Sequence, residues 1–290
     1  MVTWALWGGW GRWGKMGHVR KAAVAGTWYP GTRDPLAAEV DRYLTLAVSA
    51  WEGDIKALIA PHAGLRYSGP VAAHAYKLMG GRRYEVAVLV GPSHHVGFDG
   101  VAICLRGVFE TPLGAVPIAE SCADAIARAA PSVHEHPTAH TREHSLEMQL
   151  PFLQRVLPDT PIVPLVMGYQ TRETIGDLAQ GLSSALSGRA ALLVASTDLS
   201  HYHDAATAAR LDGRVMGHVG AFDAEGLLDT LDAFPQHACG GGPAVAVMRA
   251  ARSLGAEHAG ILRYADSGDV SGDKDAVVGY LAAAFGNLRS

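Results

Sequence analysis

Three apolar runs in this 290-residue chain end in side chains able to bind a metal or move a proton. "ALIAP" is followed at once by His62, and "VAVLVGPS" by the pair His94 and His95. "ALLVAST" leads into Asp198, with Ser200 and His201 close behind. Imidazole is both a common metal ligand and a proton carrier near neutral pH. A fourth element is Cys239 in "HACGGGPAVAVMRAA", just ahead of a Gly-rich turn and an apolar helix. A helix N-terminus favours the thiolate and so lowers a thiol pKa. A thiolate is either a nucleophile or a soft metal ligand. Two imidazoles, a thiolate and a nearby carboxylate suit Fe(II), Cu or Zn better than Mg or Ca.

Two stretches leave alternatives open. In "TREHSLEMQLPF", His144 and Glu147 are three apart, so on a helix they share a side and could face a crevice from its rim. The other reading is an exposed first helical turn, with Glu143 complementing the dipole and Leu146, Leu150 and Leu153 facing the core. Adjacent residues of an extended chain point to opposite sides, so only one of His94 and His95 should face the site. Gly240 opens "GGGP", which could meet an anion at a helix start, but no strand feeds it directly. Cys104 and Cys122 read as small buried apolar residues. The chain carries no G-x-S-x-G elbow, no G-x-x-x-x-G-K-[ST] loop and no H-E-x-x-H pair.

The elements that must position these groups follow from the hydrophobic pattern. Apolar strands are expected at 55–61, 84–90, 161–168 and 190–197, with further candidates near 257–265 and 276–285. Helices are expected at 34–50, around 70–79, at 119–130, from Thr141 through the "EHSLEMQLPFLQRVL" stretch, at 171–186 and over 205–232. Continuously apolar strands alternating with helices predict an α/β fold: one domain, a central mostly parallel or mixed sheet, and helices on both faces. In such sheets ligands bind beyond the carboxyl ends of parallel strands. Tips carrying His62, His94-His95 and Asp198-x-x-His201 would therefore converge if their strands are neighbours.

Bulk properties narrow the partners. Hydrophobic residues make up 49% and charged residues 18%, with a net charge of −4. That balance gives no electrostatic reason to expect nucleic acid or an anionic membrane surface. Three cysteines at no metal-finger spacing argue against a disulfide framework and for a reducing, cytoplasmic setting. The leader "MVTWALWGGWGRWGKMG" carries tryptophans at positions 4, 7, 10 and 13, but five glycines oppose a stable helix. It reads as a disordered extension over 1–17, or a mis-assigned start with Met16 as initiator, ahead of a domain spanning 18–290.

Taken in order, "AGTWYPG", "APHAGLRYSG", "AAHAY", "VGPSHH", "EHSLEMQLPF", "STDLSH" and "CGGGP" resemble the Memo-like family (mediator of ErbB2-driven cell motility). The resemblance implies a fold similar to class III extradiol ring-cleaving dioxygenases, which hold Fe(II) with two histidines and a carboxylate. By motif it implies that His62 and His94 are the imidazole ligands and that Cys239 stands where the dioxygenases place their carboxylate. It further implies His201 as the acid–base residue, with Asp198 orienting it or adding a ligand. His95, His144, Glu147 and Gly240 fall to supporting or substrate-side places. A thiolate in place of a hard carboxylate shifts metal preference and redox behaviour. The leading expectation is thus a metal-binding or redox protein holding Fe(II) or Cu without established turnover. The alternatives are an Fe(II) dioxygenase acting on a small catechol-like molecule and, third, a Zn hydrolase with metal-activated water.

Overall fold

The computed structural model describes residues 18–48 and 52–289. The Trp-rich segment 1–17 lies outside the described residues. The first half runs β1 (Val19–Arg20), α1 (Arg33–Leu46), β2 (Glu52–Ala60), α2 (Leu65–Lys77), β3 (Val86–Pro92), β4 (Val101–Ile103), β5 (Val108–Thr111), β6 (Gly114–Pro117), α3 (Glu120–Ala129) and β7 (Val133–Glu135). The second runs α4 (Pro137–Thr141), α5 (Leu150–Val156), β8 (Ile162–Met167), α6 (Arg172–Leu186), β9 (Ala191–Ser196), β10 (His201–His203), α7 (Ala205–Gly220), α8 (Ala224–Ala233), α9 (Gly241–Ser253), β11 (His258–Asp266), α10 (Gly268–Ser271) and β12 (Val277–Arg289).

The main sheet has the order β10-β12-β2-β9-β3-β8-β4-β7, with β11 also on β12. Its centre is four mutually parallel strands, β2, β9, β3 and β8. β3, β8 and β9 are buried along their whole length, as their unbroken apolar sequences require of strands covered on both faces. Antiparallel strands flank the centre: β12 on β2, β11 and β10 on β12, and β4 on β8. Helices flank this α/β sheet. α9, rich in Gly, Ala and Val, packs on β9, β3 and β2, while α2 packs on β2, β11 and β12. A second sheet, β1-β5-β6, stands apart. Among the described residues, no helix is long and apolar enough to cross a membrane.

The expected helix starting at Thr141 is a correction. α4 ends there, residues 142–146 form no helix, and one 3-10 turn (Glu147–Gln149) leads into the short α5. Two features explain the break. Pro151 lacks an N–H and suits the first turn of a helix, not its interior. The Glu143 carboxylate accepts from the backbone N–H groups of His144 and Ser145, each at 2.9 Å, which competes with a helical ladder.

Candidate metal centre

The strand order places β9 between β2 and β3, so His62, Asp198 and His94 leave three adjacent strand tips. His62 is almost fully buried (2% exposed), with Nδ1 2.9 Å from Ser196 Oγ and Nε2 3.3 Å from Cys239 Sγ. Ser196 donates its hydroxyl proton to Ser145 O at 2.6 Å, so its oxygen can only accept from His62. The proton of His62 is thereby placed on Nδ1, and the Nε2 lone pair faces Cys239. Burial first, then the neighbouring His94 and His144, hold the His62 pKa well below the ordinary imidazole value.

His94 is held from below by Glu143. Its backbone N–H donates to one carboxylate oxygen at 2.6 Å and its ring Nδ1 to the other at 2.9 Å. Nδ1 is therefore occupied and Nε2 left free, the arrangement carboxylates commonly impose on metal-binding histidines. Burial alone would raise the Glu143 carboxyl. The hydrogen bonds from His94 and Ser145 outweigh that and hold it well below the usual carboxylate range. The expectation of Glu143 as an exposed dipole partner is thus corrected: it is 2% exposed and central.

His144 joins the same cluster. One donor atom each from His62, His94 and His144 lies within 4.8 Å of the others. The His144 ring stacks on His94 at 4.5 Å, carries Trp28 at 4.3 Å on another side, and has Nδ1 3.6 Å from Glu143 Oε1. Burial, then His94, push its pKa down to about 4. His95 is exposed, yet its ring also approaches His144, at 5.9 Å. Residues 94 and 95 form a bend, not extended chain, so the opposite-sides rule does not apply to them.

Cys239 reaches the cluster through His62 and lies just ahead of α9. Its thiol also accepts from the Asp198 backbone N–H, at 3.3 Å. The expected lowering of its pKa is not found. Burial, with Asp198 beside it, pushes the thiol up, and the N–H bonds only partly offset this. The next three N–H groups are all taken within the protein: Gly240 by Thr197 Oγ1, Gly241 by Ala238 O, and Gly242 by Gln170 Oε1. An anion site at "GGGP" is therefore excluded. Gly240 is needed for close approach, since a Cβ there would meet Ser196 O at 2.3 Å. Cys239 also lines a cavity of about 340 Å³ with Tyr169, Gln170, Leu231 and Asp232. Cys104 and Cys122 are buried core residues.

Asp198 accepts the His62 backbone N–H at 2.8 Å and lies 3.9 Å from that ring's Nε2. Burial pushes its pKa up to about 7 against the His62 and Ala63 N–H bonds. It is bonded to His62 and not to His201. The carboxylate whose field reaches His201 is Asp212, buried on α7 and bonded to Ser200 N and Tyr264 Oη. Burial lowers the His201 pKa, keeping a neutral imidazole within electrostatic reach of His94. The next residue, Tyr202, has φ of 62° and is 79% exposed.

Glu147 does not share a helix face with His144. It is fully buried and binds Arg20, the Tyr29 hydroxyl at 2.5 Å, and the backbone N–H groups of Ala23 and Val24. Arg20 also donates to the carbonyls of His140 and Glu143. Sequence reasoning missed Arg20, Trp28, Glu143, Ser196, Gln170 and Asp212. Only Trp28 and Glu143 carried a signal, inside "AGTWYPG" and next to His144.

The family model for Memo-like proteins matches residues 20–284. The chain belongs to the Memo-like family. A MEMO1 family protein of Methanothermobacter thermautotrophicus is 39% identical over 274 residues, covering 90% of this chain and 98% of the relative. One from Pyrobaculum aerophilum is 37% identical over 279 residues, covering 92% and 99%. An uncharacterized Escherichia coli K12 protein of known crystal structure shares the fold of this Memo-like chain, with a TM-score of 0.53 at 16% identity. It covers 79% of this chain and 99% of its own.

Proposed function

We propose that this Memo-like chain holds a single iron or copper ion on His62, His94 and Cys239 and acts as a metal-binding or redox protein. The observation that carries this reading is the pair of buried partners, Ser196 and Glu143, which occupy both Nδ1 atoms and turn two Nε2 atoms into one crevice. The residues fit such an ion: imidazole and thiolate suit iron and copper, and a thiol pKa raised by burial is brought down by a bound cation. Bound there, iron or copper would supply one-electron redox chemistry. Asp198 and the Gly240 turn fix His62 and Cys239. Free, buried Cys104 and Cys122 suit a reducing compartment such as the cytoplasm.

The second reading is an Fe(II) dioxygenase for a catechol-like substrate. It is favoured by His201, a neutral half-buried imidazole able to take a proton beside the same crevice. One preparation tests both. Protein purified anaerobically should contain near-stoichiometric iron or copper in wild type, falling in His94→Ala and Cys239→Ser. Unchanged metal in both variants overturns the site, and stoichiometric zinc redirects it to hydrolysis. Oxygen uptake with catechol by the iron-loaded protein would move the conclusion to the second reading.

A further inference from the structure

We infer that His144 is a fourth protein donor to this metal, making the donor set three imidazoles and one thiolate. The inference rests on the reading that His62 and His94 bind metal. Its own support is separate: the three imidazole donor atoms already lie within 4.8 Å of one another. Donors about 2.0–2.3 Å from a tetrahedral ion sit about 3.4 Å apart, so small ring rotations bring all three onto one centre. Cys239 Sγ, 3.3 Å from His62 Nε2, is at that separation now.

The electrostatics also favour His144. Glu143 Oε1 stands 2.9 Å from the His94 Nδ1, and the His144 Nδ1 lies 3.6 Å away, beyond hydrogen-bond reach but close to the same carboxylate. The proton on the His94 Nδ1 leaves that ring's Nε2 free to ligate, and His144 shares the negative charge that steadies a bound cation. Trp28 and His94 enclose the His144 ring on two sides, so it is held near the cluster and is not a loose surface residue. A four-donor set closes the coordination sphere of a tetrahedral ion, whereas turnover needs an open position. A ligand reaching the metal would then have to displace one of the four donors.

Cobalt(II) added to metal-free protein reads this directly, through visible bands that are intense for four-coordinate sites and near-ultraviolet thiolate absorption. His144→Ala should keep the thiolate absorption, shift the visible bands as water takes the vacated position, and bind cobalt about tenfold or more weakly. Free imidazole should restore the visible bands, which a merely misfolded variant would not allow. Cys239→Ser should show the converse, losing the thiolate absorption. If His144→Ala matches wild type in spectrum and affinity while His94→Ala abolishes binding, His144 is no donor and the parent reading stands. If His94→Ala also binds normally, both fall.

Discussion

Glu143 is the residue on which the candidate centre turns, because it accepts from His94 twice and from the backbone of His144 and Ser145. Its neighbour in sequence was visible as a site candidate, but Glu143 was not. A carboxylate beside a histidine looks the same on an exposed helix and under a metal site, and only burial separates them. His62, His94, Asp198 and Cys239 were legible for the opposite reason: each follows an apolar run or precedes a Gly-rich turn, and that context fixes topology. Tyr202 illustrates strain at this scale. A bulky residue at φ of 62° pays for its left-handed backbone, next to His201. Tyr202→Gly should stabilise the protein by about 0.5–1 kcal/mol, after allowing for glycine's larger unfolded-state entropy. Tyr202→Ala should gain nothing, since it keeps a Cβ in the same conformation. Urea denaturation of the two variants side by side checks this, and equal stability would show that the backbone is unstrained.

Among elements, the segment 142–149 does what no regular helix could. An uninterrupted helix would put His144 and Glu147 on one side. The broken chain sends His144 to the crevice and Glu147 to Arg20. The sequence pattern favoured a helix because Leu146, Leu150 and Leu153 keep helical spacing, and all three are buried as that spacing implies. Periodicity reported burial correctly and conformation incorrectly, because local hydrogen bonds to Glu143 outcompeted the ladder. Arg20 locks this segment to β1 through an ion pair with Glu147 and two carbonyls. Arg20→Met leaves the Glu147 charge buried with only Tyr29 and two N–H groups, and should cost about 3 kcal/mol. Pairing it with Glu147→Gln should recover part of that loss in chemical denaturation. No recovery would show that Arg20 acts through the carbonyls alone.

For the whole molecule, the parallel centre and its site-bearing rim were readable from alternating apolar strands and helices. Short strands and turns were legible over 99–118, but their pairing with β1 into a separate sheet was not, since these strands are two to four residues long and carry little periodic signal. Yet β1 is where the chain is fastened to the segment bearing Glu143 and His144. Ala23 and Val24 spend their N–H groups on Glu147, while Lys21 stands in solvent with its side chain 75% exposed. A trypsin-like protease can cut after Lys21 only when this arm peels away from Glu147. Any ion gripped by residues on the same segment opposes that opening. At a metal concentration about 100 times Kd, cleavage should slow by up to about 100-fold, and a chelator should restore the rate. The susceptibility of one exposed peptide bond near the start of the domain then becomes a remote gauge of occupancy at the crevice, readable on a gel without any chromophore.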